Sequence, residues 1–240
     1  MNMDFYINNI SKDKIIGRGF QNKCYDFFDV VLLESRYFSG SEVKSYLSEV
    51  SKLKGILDSI DVHSYKIIDY KVFNDRLYIL ESKVKGSSLQ DTSFDIDSSV
   101  FINRLKELNN YDILKQFVSD YLVLSDNGIY ADPGTPNNFL FDGKHVYFLD
   151  LGVSVMPIDK KYICFYILYN VMHTYCQVKS EDVSSISFLV NSIYDKLCSI
   201  YKELGYDSSM YTMSPNGSIS DYISKRIDRF NNDICVSRTK

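Results

Sequence analysis

The sequence predicts an α+β fold in two lobes, on three observations. Strand-like runs rich in β-formers crowd the first third of the chain, broken once by a segment of helical period. The stretch from Lys160 to Asn232 reads as helices with polar connections. Between these regions, a short alternating hairpin sits inside helical sequence. Segregated strands and helices, rather than regular β-α alternation, mark α+β architecture.

The elements follow in order. KIIGRGF and KCYDFF read as strands that meet at Gly17 and Gly19, and DVVLLESRYF as a third. From Ser41 to Asp58 the period changes. Val43, Leu47, Val50, Leu53 and Leu57 form an apolar stripe at helical spacing, with Ser41 as N-cap and Gly55 near the end. SYKIIDYKVF and DRLYILE then form a hairpin that turns near Asn74-Asp75. After KGSSL, helices cover about 97–108 and 111–125, the second ending at Asp126-Asn127-Gly128. GIYADPGTPNN leads to a second hairpin, NFLF and HVYFLD around Asp142-Gly143, a dipeptide suited to tight turns. The division falls at 1–82 for an N-lobe and 83–240 for a C-lobe.

Composition excludes several classes. Lys and Arg number 27 against 31 Asp and Glu, a net charge of −4, and the pI is near 5.4. A nucleic-acid partner is therefore not expected. Apolar residues at 45% and charged ones at 24% match a globular chain. The longest apolar runs, Val30 to Leu33 and Ile163 to Tyr169, fall far short of the ~20 residues of a membrane span. The opening MNMDFYINNISKDK has no apolar signal-peptide region. Five widely spaced cysteines without a CxxC read as reduced thiols, and the three histidines lack metal spacing. The expectation is a soluble, cytoplasmic protein with no transmembrane segment.

Chemistry concentrates between Ile129 and Gly152, IYADPGTPNNFLFDGKHVYFLDLG. Asp132 precedes Asn137 by five residues, and Asp150 lies thirteen beyond Asn137, directly before Leu151-Gly152. The hairpin between them brings its strand ends close, so the three side chains can converge on one edge. Singly, a surface Asp, an Asx-rich loop or a hairpin would be unremarked. Together and in order, they are the types that phosphoryl transfer needs. One carboxylate positions the attacking hydroxyl and accepts its proton, while an amide oxygen and a second carboxylate hold Mg²⁺ against nucleotide phosphates.

This segment resembles the catalytic and metal-binding loops of the protein-kinase-like superfamily, which includes aminoglycoside and choline kinases and the lipopolysaccharide-core sugar kinases. Its Asp-Pro opening is most similar to the last group. The resemblance implies a two-lobed protein-kinase-like fold, with ATP and Mg²⁺ as cofactors. It also implies transfer of the γ-phosphate to a hydroxyl of a sugar or other small molecule. It assigns Asp132 as catalytic base and Asn137 and Asp150 as metal ligands. Asn138, next to Phe139, is the rival of Asn137. Gly17 and Gly19 resemble a truncated glycine-rich loop over the phosphates. Glu49, in YLSEVSKLKGIL, matches the ion-pair glutamate of the N-lobe helix. Glu81 and Lys83, in LESKVKGSSL, match a hinge that offers backbone groups to adenine, with Gly86 opening the second lobe.

Departures from that pattern are equally concrete. DVVLLESRYF lacks the strand lysine that contacts the phosphates. Arg36 is the nearest replacement and Lys23 the alternative, although a guanidinium fork does not reproduce an ammonium. Tyr130 stands where the superfamily usually has His, and Leu151 where it has Phe. Only seven residues separate Gly152 from Lys160, which leaves no room for a long activation loop and favours a small acceptor. Two other readings stay open: a minimal bacterial effector-type kinase with a protein substrate, and a pseudokinase serving as a binding module.

Overall fold

The structure, a computed structural model, describes residues 2–18, 22–35, 40–89, 96–132, 136–153, 158–173 and 176–233. It has the expected α+β composition, with a five-stranded antiparallel sheet in the N-terminal region and a mostly helical C-terminal part.

A short helix α1 (Met3–Asn8) precedes β1 (Ile15–Arg18), β2 (Asn22–Phe27) and β3 (Val30–Ser35). Helix α2 (Gly40–Ser59) then leads to β4 (Ile67–Phe73) and β5 (Arg76–Ser82). The strands lie in the order β1-β2-β3-β5-β4. Asn74 and Asp75 both take positive φ, 49° and 56°, between the paired Phe73 and Arg76. That two-residue turn has the twist its flanking strands need. Helix α1 has no counterpart among the expected elements, since six residues are too few for a periodic signal.

The sheet has two unlike faces. On the outer face, Met3 and Ile7 of α1 close over Tyr25, Val30, Leu32, Tyr78 and Leu80. On the inner face, Ile67 and Leu77 meet Val50, Leu53 and Leu57 of α2, in a core that continues into the helical part. The expected α2 stripe is therefore buried, with Leu47 half-buried, and each buried aliphatic stabilises by about 2 kcal/mol relative to exposure.

Beyond the sheet come β6 (Ser87–Ser88), β7 (Ile96–Asp97), α3 (Ser98–Leu108), α4 (Tyr111–Asp126) and β8 (Ile129–Ala131). Asp97 caps α3 through Ser99 N–H, and Asn110 caps α4 through the N–H groups of Asp112 and Ile113. Next are β9 (Phe139–Phe141), β10 (Val146–Phe148), β11 (Leu151–Val153), α5 (Ile163–Met172) and β12 (Cys176–Gln177). The chain continues through α6 (Ser180–Glu203), α7 (Ser209–Thr212), β13 (Met213–Ser214), β14 (Gly217–Ser218) and α8 (Ile219–Asp233). No helix among the described residues is long and apolar enough to cross a membrane.

The β9–β10 hairpin is the expected one, but its turn spans Asp142 to His145 rather than Asp-Gly alone. Asp142 Oδ1 accepts from the N–H groups of Lys144 and His145 at 2.8 and 2.7 Å. Fully buried rings fix the hairpin on α4: Phe117 lies 5.6 Å from Phe139, and Tyr121 lies 5.2 Å from Phe148. Strand β6 pairs with β9 on its other side. Gly86 enters that strand with φ +147°, and a Cβ there would stand 2.8 Å from the Phe141 carbonyl oxygen. Only glycine fits this passage.

Candidate functional site

The site is built on a two-stranded ladder. Strand β8 pairs antiparallel with β11 in the register Ala131↔Leu151, Tyr130↔Gly152 and Ile129↔Val153. Asp132 and Asp150 are the next residues outward on each strand, so they stand opposite one another at its open end. Two features hold them there. The buried Tyr121 hydroxyl donates to the Ala131 carbonyl at 3.1 Å, and Leu149 N–H donates to the Asn138 carbonyl at 2.7 Å. Asp150 itself adopts left-handed backbone, φ +49°.

Electrostatics follow from that opposition. Desolvation of the Asp150 carboxyl, then the charge of Asp132, pushes its pKa above the ordinary value. The Tyr130 hydroxyl donates to Asp132 Oδ1 at 3.3 Å, and burial followed by the Asp132 charge raises the tyrosine. Asn137 and Asn138 lie in a single 3₁₀ turn (Pro136–Asn138). Asn137 is exposed, and its Oδ1 accepts from Ser88 Oγ at 2.9 Å. Asn138 is half-buried, with its Nδ2 buried and unpartnered among the described residues.

The inner face of the sheet places a side chain that the sequence reading considered only for its backbone. Leu77 and Ile79 alternate inward along β5, and Glu81 follows at the next inward position, flanked by Val31 and Ile67. Burial first, and Asp150 second, push the Glu81 carboxyl up to about 8. Cys24, on the inward side of β2, is raised to about 11 by burial and then by Glu81 and Asp150. The signal was available in the period of LYILE, where every second residue faces one side. Glu81 was expected to act through its backbone; its side chain faces Asp150 instead.

The other expected site residues stand as follows. Lys23 lies on the outer face, where its Nζ is 3.7 Å from Glu34 beside Tyr25. Alternation along β3 sends Val31, Leu33 and Ser35 inward, so no cation stands on the described inner face of that strand. Glu49 is exposed and accepts from Ser45 Oγ at 3.4 Å. At ~100° per residue it sits about a quarter-turn off the buried stripe of α2 and does not face the sheet. Lys83 N–H donates to the Asp29 carbonyl at 3.0 Å, and its Nζ pairs with Asp26 at 2.6 Å. That backbone donor is thus engaged within the chain. Gly17 pairs with Cys24 beside a β-bulge and faces inward, where an added Cβ would lie 3.8 Å from the Cys24 Cβ. Arg36 and Gly19 lie outside the described residues.

Among the described residues, no group of three His, Cys, Asp or Glu side chains is placed to hold a metal ion. The ladder instead presents two opposed carboxylates, a nearby amide turn and a third carboxyl at Glu81. These carboxylates can accept protons, and the amide turn adds further hard oxygen donors. The chain matches no known family model and no characterised protein sequence.

Proposed function

We propose that the chain is an ATP-dependent phosphotransferase of the protein-kinase-like type. Residues 1–82 would form the nucleotide-binding N-lobe and 83–240 the C-lobe, with a sugar-like small-molecule hydroxyl as acceptor. The observation that carries this reading is the opposition of Asp132 and Asp150 at the open end of the β8–β11 ladder. The Asn137-Asn138 turn and the β9–β10 hairpin lie between them in sequence. The short connection from Gly152 to Lys160 supports a small acceptor.

Asp132 would take the acceptor's proton on a carboxylate oxygen as the hydroxyl attacks. The Tyr130 hydroxyl, donating to Oδ1, steers that carboxylate. The residues fit Mg²⁺. They are hard oxygen donors, opposed carboxylates favour a cation between them, and Mg²⁺ needs only one or two carboxylates beside phosphate and water. Asp150 would hold the ion with Asn138 or Asn137. A half-turn of χ2 would present the Asn138 amide oxygen where Nδ2 now lies unpartnered. When bound, Mg²⁺ supplies charge neutralisation across the nucleotide phosphates.

A second reading has one observation in its favour. The inward positions of β3 are Val31, Leu33 and Ser35, and Lys23 faces away, as a nucleotide-binding module without turnover would tolerate. One experiment separates the readings. Saturating MgATP should raise the melting temperature, a ligand at 100 times its Kd adding about 2.7 kcal/mol. Asp150→Asn should abolish the metal-dependent part. Asp132→Asn should keep binding and lower turnover by ~10²–10⁴-fold. Binding without turnover in the wild type selects the module. A melting temperature unmoved by MgATP and MgGTP, with silent calorimetry, sinks the nucleotide site.

A further inference from the structure

Behind the candidate site, α4 carries a buried carboxylate, Asp120, at one turn from Gln116. Asp120 Oδ2 accepts three hydrogen bonds: from His63 N–H at 2.8 Å, from His63 Nδ1 at 2.8 Å and from Gln116 Nε2 at 2.6 Å. A carboxylate only accepts, so His63 carries its proton on Nδ1 here. Gln116 in turn pairs with β10 as a strand would. Its Nε2 donates to the Val146 carbonyl at 3.0 Å, and its Oε1 accepts from Val146 N–H at 2.9 Å. His63 grips the same strand two residues further on, where its carbonyl accepts from Phe148 N–H at 2.9 Å. Its ring stacks on His145, just before β10, with centroids 4.5 Å apart.

One buried carboxylate therefore ties together the α2–β4 connection, helix α4 and strand β10. That strand ends two residues before Asp150, and its backbone is gripped at alternate positions on the side away from β9. We propose that Asp120, acting through His63 and Gln116, is a positioning residue that sets where Asp150 stands opposite Asp132. This rests on the reading of Asp150 as a metal-binding carboxylate. The mechanism is geometric: loosening β10 lets the left-handed turn at Asp150 relax, and the carboxylate pair loses its spacing. Residues that orient metal ligands from behind typically change metal affinity by 10–100-fold when removed.

The test uses the full chain and four variants. An Asn amide nitrogen falls near the place of Nδ1, so His63→Asn keeps a donor for Asp120, whereas His63→Ala removes it. Asp120→Asn keeps the shape and one acceptor, and Asp120→Ala serves only if it folds. The readout is the Mg²⁺ concentration that gives half of the MgATP-dependent melting shift, read beside the melting temperature without ligand. We expect His63→Ala and Asp120→Asn to raise that concentration about tenfold, and His63→Asn to restore it to within about twofold. Variants that melt lower yet keep the wild-type Mg²⁺ response overturn the inference, since Asp120 then only stabilises the fold. A wild type without any Mg²⁺ response overturns the site reading itself, and the inference falls with it.

Discussion

The two faces of the N-terminal sheet treat a carboxylate in opposite ways. On the outer face, Glu34 accepts from the Tyr25 hydroxyl at 2.6 Å and from the Tyr78 hydroxyl at 3.4 Å. Arg76 lies 3.3 Å away and Lys23 3.7 Å away. On the inner face, Glu81 meets burial and a second carboxylate, and its pKa climbs to about 8. Both residues sit inside a strand of one sheet. The outer acid is enclosed by donors and works as structure. The inner acid is destabilised when charged, as is common where a protein prepares a binding surface.

The largest expected effect lies on the outer face. Glu34→Ala would strand two tyrosine hydroxyls and leave Arg76 only its bond to the Ser35 carbonyl, and should cost about 2–3 kcal/mol in denaturant unfolding. A loss under about 0.5 kcal/mol would show that water satisfies those donors and would erase the contrast.

The inner face should respond with the opposite sign. The folded-state pKa of Glu81 is raised from 4.5 to about 8, so between those values the folded chain holds more protons than the unfolded one. Stability must then fall as pH rises through that window, by at most about 1.4 kcal/mol per unit. Because Glu81 is only partly buried, screening reduces this. Glu81→Gln should flatten the slope and gain about 1–2 kcal/mol at pH 8. If wild type and variant show parallel pH profiles, the two carboxyls of the inner face do not interact as described.

Lys23 should give the smallest effect. Its ion pair is half-exposed, with the lysine side chain 48% accessible, and such pairs are worth about 0–1 kcal/mol. Lys23→Ala should therefore change stability little and leave nucleotide affinity unchanged. A tenfold loss of MgATP affinity would mean that Lys23 reaches inward, against the strand alternation that separates the faces.

These outcomes bear on what was legible in the sequence. The α2 stripe, the Asn74-Asp75 turn and helices α3 and α4 were readable because period and turn chemistry are local. The opposition of Asp132 and Asp150 was readable because a hairpin must return its chain to where it left. The side on which Lys23 stands was not readable because facing depends on register, and one residue moves a side chain to the other face. The facing of Glu49 was equally hidden: it lies near the stripe in sequence but about a quarter-turn from it in space. The Asp120 knot left no local trace, since His63 and Asp120 are 57 residues apart and meet only through tertiary packing.

Asp150 combines two disfavoured states. Its backbone is left-handed at φ +49°, where Gly rests without strain and Asp and Asn are tolerated at some cost, and partial burial with the facing Asp132 charge raises its carboxyl pKa. A Gly at that position would bear neither cost, and an Asn would shed the second. Heat resistance and chemistry thus pull residue 150 in different directions. A laboratory lineage chosen only for surviving heat would drift toward Asn or Gly there, growing sturdier as its candidate ion site disappeared.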